Sequence, residues 1–302
     1  MGNRGGASRT HRGGCGQGHA RVFAVPGEAA FTGILMTMQL SGIYRYPVKS
    51  ARGHEVNSAT MDRFGLAGDR RWMLIDSAGQ FYSQRRAPAM ALLGVAPREH
   101  GLRLTFGEHC MDVDQPDAQS PEVSATVWEH TLRARCAAAE VNAWLRERLG
   151  EDLRLVFCPE NATRSVDAAY LPESLEKQHV AFSDGFPLLI ISQASLDALN
   201  ARLPVPVPMD RFRPNLLIAG AVPHAEDQWK RLRIGATELA IVKPCSRCVI
   251  PSINQQTAEK DPLINRVLAE YRRRDGVIYF GMNAIATAGD RLTVGDSVSV
   301  LD

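Results

Sequence analysis

The sequence predicts an α+β chain built mostly of short strands, and three observations carry that expectation. Apolar residues recur with a two-residue period in segment after segment. Helical spacing of apolar residues appears in only a few windows. Gly, Pro, Asp and Ser clusters separate the strand patterns at short intervals, and no internal repeat is present. Many short strands with few helices imply barrels or a mixed fold.

The 302 residues are 45% hydrophobic, enough for a sizeable core in one or two domains. The first nineteen residues contain seven glycines. Such a tract cannot bury enough apolar surface to fold, so residues 1–37, with a net charge of +3, are expected to form a disordered Gly/Arg-rich extension. Met36 and Met38 stand just before the first strand pattern and offer an internal start.

From Leu40 to about Cys158 the reading is β. Arg71–Ile75 and Phe81–Ser83 flank a turn-rich link and read as a hairpin. Leu102, Leu104 and Phe106 alternate with Arg103 and Thr105, as Val123, Ala125 and Val127 do with Ser124 and Thr126. One helix interrupts the series, with Ala137, Val141, Trp144, Leu145 and Leu149 on one face and Gly150 as its stop. Leu153, Leu155 and Phe157 return to strand, and a boundary falls in the polar stretch 159–174. Next come a buried strand at Leu188–Ile191, a helix capped by Ser192, and a strand at Leu216–Ile218. A strand pair follows over Leu232–Ile241, joined through Gly235-Ala236-Thr237. Asp261-Pro262 opens another helix, Asp as cap and Pro as first residue, with Leu263, Val267, Leu268 and Tyr271 inward. Arg291–Val300 reads as a closing β-hairpin.

Net charge is only +2, which argues against a general nucleic-acid binder. No stretch approaches the ~18 apolar residues of a membrane span, and no secretory signal is recognisable. Six cysteines without a regular framework fit a reducing compartment, and the expected localisation is cytoplasmic.

Chemistry concentrates in Pro244-Cys245-Ser246-Arg247-Cys248, after an apolar strand. Arg247 adjoins Cys248, and a neighbouring guanidinium favours the thiolate, the form that binds metal. Structural zinc needs four ligands, and the remaining cysteines are scattered singly. A redox pair would open a helix, whereas Val249–Asn254 reads as extended chain around Pro251. Four further clusters stand out: Tyr46-Pro47-Val48-Lys49-Ser50, Gly68-Asp69-Arg70-Arg71-Trp72, Phe182-Ser183-Asp184-Gly185-Phe186-Pro187, and Arg211-Phe212-Arg213-Pro214-Asn215. Lys and Ser side by side in a loop can hold a phosphate, as can guanidinium forks.

In order and content these clusters resemble the MOSC superfamily, in the form where an N-terminal MOSC β-barrel domain packs on a C-terminal MOSC β-barrel domain with a few helices. The similarity extends to the mitochondrial amidoxime-reducing components and their bacterial counterparts. It implies domains at 38–158 and 159–302, a molybdenum–molybdopterin cofactor, and reduction of N-hydroxylated compounds (N–OH to N–H) by oxygen-atom transfer to the metal. Cys248 then matches the single protein ligand to molybdenum, and Cys245 is not expected to bind it. Lys49, Ser50, Arg70, Arg213, Ser246 and Arg247 are implied to hold the cofactor, largely at its phosphate, with Ser183 and Asn215 in the same set. Asp184 matches the acidic residue near the metal, where a raised pKa would let it relay a proton. Soft thiolate suits soft metal, and cations suit a phosphate dianion.

Neither a fused ferredoxin-like domain nor a membrane anchor is apparent, so the expected partners are a separate ferredoxin-, flavodoxin- or cytochrome-type electron donor and a small N-hydroxylated substrate, without nucleic acid or membrane. Pro251-Ser252-Ile253-Asn254 departs from the Thr-rich run of eukaryotic members, leaving substrate preference open. Two alternatives remain: a sulfur carrier using a Cys248 persulfide, and a module that binds or passes on the cofactor.

Overall fold

The computed structural model describes residues 37–301, so the expected extension over 1–37 lies, apart from Thr37, outside the described residues. Strands dominate, arranged in four sheets with three α-helices among the described residues.

The two-residue period has a direct structural meaning. In the strand Trp72–Ile75 every residue is buried. Trp72 and Leu74 face one core with Leu155 and Phe157, while Met73 and Ile75 face another with Val156 and Cys158. Alternate side chains leave opposite faces of a strand, so a strand covered on both sides serves two cores at once. That strand pairs with Arg154–Phe157, which leads on to His130–Cys136 and Glu122–Val127. A three-stranded meander, Gly94–Arg98, Gly101–Phe106 and His109–Asp114, packs Leu102, Leu104 and Val113 into the first of these cores.

The largest sheet has nine strands and draws on both ends of the chain. Gln39–Arg45 pairs with Leu216–Ala219 and with His54–Val56. Leu188–Ser192 runs parallel to Leu216–Ala219, and the helix α2 (Gln193–Asn200) lies in the connection between them. Leu188–Ser192 also pairs with Val277–Ala288, which pairs in turn with Thr237–Ser246. Ile190 points to one core with Ile43 and Leu232; Leu189 and Ile191 point to the other, against Leu196 and Leu199 of α2 and Ile264 and Leu268 of α3 (Leu263–Arg272).

Helix α1 (Ala139–Leu149) buries Val141, Trp144 and Leu145, and Gly150 ends it at φ 73°, its N–H reaching the Arg146 carbonyl. Ser192 caps α2 by accepting from the Ser195 N–H at 3.1 Å. Helix α3 begins at Leu263, one residue later than the sequence suggested. The Asp261 carboxylate still accepts from the Leu263 N–H at 2.9 Å.

Two expectations need correction. Arg291–Val300 is not a hairpin: Arg291–Thr293 pairs with Ser58–Asp62, and Val298–Leu301 pairs with Arg231–Ile234. Leu292 and Val298 reach the same core from different sheets, a partition that local alternation cannot encode. Val249–Asn254 is not extended: Ile250–Ser252 is a 3-10 turn with Pro251 at its start, where no backbone donor is needed. The hairpin expected of Arg71–Ile75 and Phe81–Ser83 is present but shorter than expected. An Ile75–Phe81 bridge is flanked by the Asp76 N–H to the Gln80 carbonyl at 3.0 Å and the Tyr82 N–H to the Leu74 carbonyl at 2.7 Å, while the Phe81 N–H reaches Thr126 on the other side.

Gly281 sits at φ 79° in the strand Val277–Ala288, and a Cβ there would lie 2.6 Å from Ile191 Cγ1 and 2.8 Å from the Ile190 carbonyl. Gly281→Ala is therefore expected to destabilise the fold by about 2 kcal/mol or more. Urea unfolding checks this through a lower midpoint at an unchanged slope.

Candidate functional site

All ten residues singled out from the sequence line one cavity: Lys49, Ser50, Arg70, Ser183, Asp184, Arg213, Asn215, Ser246, Arg247 and Cys248. Short backbone links converge their loops. The Lys49 N–H reaches the Trp72 carbonyl at 2.8 Å, the Arg70 N–H reaches Tyr46 at 2.8 Å, the Phe182 N–H reaches Arg70 at 3.0 Å, and the Asn215 N–H reaches Leu189 at 2.8 Å. The Asn265 side chain on α3 donates to the Cys248 carbonyl at 2.9 Å, tying the cysteine loop down.

One wall is cationic. The guanidiniums of Arg70 and Arg213 both stack on the Tyr46 ring, at 4.4 and 4.3 Å from its centroid. Tyr46 is buried, and its hydroxyl donates to the Pro214 carbonyl at 2.9 Å, which fixes the ring. Arg70 is neutralised by buried Asp69 and donates to Asn215 Oδ1 at 2.9 Å. Arg213 is different. It is 9% exposed and forms no ion pair among the described residues, its polar partner being Gln255 Oε1 at 3.5 Å. Burial, together with the nearby Arg70 charge, lowers its pKa to about 10. Ser50, Arg70 and Arg213 all hold left-handed backbone, with φ of 66°, 45° and 56°. Strain of this kind costs of order 1–3 kcal/mol per residue and persists only where the surroundings impose it.

Lys49 is buried, donates to the Phe182 carbonyl at 2.8 Å and forms an ion pair with Asp184. Burial lowers its pKa to about 8, against the opposing pull of Asp184. The Asp184 side chain is 56% exposed and also meets Arg85 at 3.4 Å. Desolvation would raise its pKa, but the Lys49 and Arg85 charges outweigh this and hold the carboxyl below its usual range. A proton relay at Asp184 depends on a raised pKa, and the shift runs the other way because two cations flank the carboxylate.

The expected neighbourhood of Cys248 also changes. The Arg247 guanidinium donates to Cys245 Sγ at 3.2 Å and to the Phe212 carbonyl at 2.8 Å. Residues two apart on extended chain share a side, so Arg247 faces with Cys245. Cys248 Sγ instead accepts from the Ile250 N–H of the 3-10 turn at 3.5 Å. Among the described residues no three His, Cys, Asp or Glu side chains gather into a metal cluster.

Sequence reasoning missed several supports. Gln84 and Gln255 pair amide to amide at 3.0 Å while Gln84 also donates to the Ser50 carbonyl at 2.8 Å, bridging two loops far apart in sequence. Buried Arg164 clamps the acidic loop through the carbonyls of Ala181, Ser183 and Asp184 at 3.1, 2.7 and 2.7 Å. Arg85 lines the cavity beside Asp184. None lies in a motif; the aromatic of Tyr-Pro-Val-Lys-Ser was the one available signal, for Tyr46. Arg71 and Arg211, the partners of the motif arginines, turn away toward the carbonyls of Cys158 and Pro251.

Known proteins resemble this chain over most of its length. Residues 37–152 match the MOSC N-terminal beta barrel domain, and residues 177–299 match the MOSC domain. Mitochondrial amidoxime-reducing component 1 of Homo sapiens is 31% identical over 283 residues, covering 86% of this chain and 82% of its own length. The protein of the same name from Mus musculus is 30% identical, covering 77% and 71%. Molybdenum cofactor sulfurase of Oryza sativa is 31% identical over 81% of this chain, which spans only 32% of that relative. With strand-rich architecture, both domain matches in order and identity above 30% across most of a relative's length, this chain belongs to the MOSC family, in the form that joins the N-terminal MOSC β-barrel domain to a MOSC domain.

Proposed function

We propose that this chain is a molybdenum-cofactor-dependent oxidoreductase that reduces N-hydroxylated compounds to N–H products, with electrons delivered by a donor protein. The observation that carries the proposal is Arg213: a buried guanidinium on strained backbone, beside a second guanidinium, without a carboxylate of its own. Charges so placed are costly unless a counter-ion arrives, and a phosphate-bearing ligand supplies one. The donor set suits molybdopterin: Lys49, Arg70, Arg213 and Arg247 as cations, Ser50, Ser183, Ser246 and Asn215 as neutral hydrogen-bonding groups, and one soft thiolate at Cys248.

When bound, the molybdenum cofactor supplies two-electron redox chemistry that removes the oxygen of an N–OH group. The chain's own residues bind, orient and exclude water. Phe186, Leu188, Leu189 and Phe212 add apolar side chains to the lining, beside which a cation is screened less than in bulk water. Asp184, held ionised, keeps Lys49 in place and offers a carboxylate oxygen to N–H or O–H donors on substrate. A persulfide carrier at Cys248 would leave the Arg213 charge uncompensated, so the geometry favours a phosphate-bearing cofactor over that carrier, and N-hydroxy reduction distinguishes the reductase from a module that only carries the cofactor.

Elemental analysis of protein made in a molybdopterin-competent host should find molybdenum in the wild type and in Cys245→Ala. Cys248→Ala should lose the metal and at least a hundredfold in N-hydroxy reduction with an artificial donor; robust reduction by Cys248→Ala defeats the ligand assignment.

Lys49 adds a pH signature. Its lowered pKa means that charge is complete below about 8 and lost above it. An anionic ligand favours the charged form, so where inorganic phosphate is already the dianion its affinity should fall as pH rises through about 8. Isothermal titration should show the dependence vanish in Lys49→Arg.

Arg213→Met removes a buried charge that lacks an ion-pair partner. The ligand-free fold should hold or gain about 1 kcal/mol, while cofactor retention falls at least tenfold. Thermal unfolding and pterin content read the two effects separately.

A further inference from the structure

Trp128 occupies a position that ordinarily rejects it. The strands Glu122–Val127 and His130–Cys136 pair through Val127 and His130, leaving Trp128 and Glu129 as the two turn residues. Trp128 has a φ of 54°, a conformation that such turns reserve for Asn, Asp or Gly. Burial does not compensate for it, because Trp128 is 42% exposed.

The indole is nevertheless held in place. Its Nε1–H donates to Asp184 Oδ1 at 3.3 Å, the Arg85 guanidinium stands 4.8 Å from its ring, and Phe81 meets it edge-on at 5.0 Å. Asp184 and Arg85 both line the cavity, and the Phe81 ring also carries the Lys49 ammonium at 5.3 Å. A strained, exposed aromatic is thus fastened to the cavity by two of its lining residues. Ring faces attract flat, delocalised groups in offset or edge-on contact, and a guanidinium over the indole strengthens that preference.

We propose that Trp128, with Phe81 and Arg85, forms a platform beside the cavity that receives the planar conjugated part of the substrate and so selects aryl-bearing N-hydroxy compounds over small aliphatic ones. This inference rests on the reductase reading for its substrate class, although the binding it describes is separately measurable. Trp128 determines specificity and takes no part in the bond-breaking step.

Trp128→Gly removes the ring and suits the turn, so its unfolding midpoint should equal or exceed that of the wild type. With the molybdenum-loaded enzyme and an artificial donor, KM for benzohydroxamic acid should rise about tenfold, with kcat within about twofold. KM for acetohydroxamic acid, which has no ring to stack, should change several-fold less, and Trp128→Phe should recover part of the loss. Equal changes for the two substrates, or none, would overturn the platform, as would a defect that appears only as weaker saturation by a protein electron donor. Equilibrium dialysis of benzohydroxamic acid separates this idea from the activity. About tenfold weaker binding to Trp128→Gly supports the platform even where no hydroxamate is reduced; equal binding refutes it while leaving the reductase reading untouched.

Discussion

Two guanidiniums resting on one tyrosine ring organise the rest of this structure. Arg70 and Arg213 come from loops more than a hundred residues apart, and nothing but a rigid frame would hold like charges so close. Tyr46 provides that frame through its ring quadrupole and through a hydroxyl anchored to the chain just after Arg213. Asp69 compensates Arg70 while also accepting from the Tyr46 N–H at 2.8 Å. One charge is left over, and the cavity opens in front of it.

Around that residual charge the cleft divides its labour. The side bearing Lys49, Ser50, Arg70 and Arg213 is electropositive and suited to a phosphate. The cysteine side is anchored by a 3-10 turn and by α3, and presents a sulfur whose nearest donor is a backbone N–H. Asp184 is ion-paired inward to Lys49 and reaches Arg85 and Trp128 outward. A carboxylate so surrounded serves as a fixed negative post between cations, a different role from that of a titrating acid.

Motif residues were legible in the sequence because each is local: a hydroxyl beside a lysine, an arginine before a buried strand, a cysteine after one. Strand and helix positions were legible for the same reason, since Leu102–Phe106, Val123–Val127 and the α1 stripe each announce their faces within ten residues. What escaped was long-range. The splitting of Arg291–Val300 between two sheets depends on which distant strands are free to accept it. Gln84 meets Gln255 across 171 residues, and no composition signal marks either one. Arg247 turns to Cys245 and away from its sequence neighbour Cys248, because extended chain sends adjacent side chains to opposite sides.

The interleaving of the chain's two ends in a single nine-stranded sheet bears on how the molecule is born. Gln39–Arg45 cannot find its hydrogen-bonding partner until Leu216–Ala219 has been synthesised, and in a separate three-stranded sheet Ser58–Asp62 must wait for Arg291–Thr293. Such distant pairings make for slow assembly and a prolonged period with unsatisfied strand edges. The cleft is therefore completed only once the strand carrying Asn283 has joined the strands on either side of it, and a prosthetic group that needs the whole lining has to wait for that pairing.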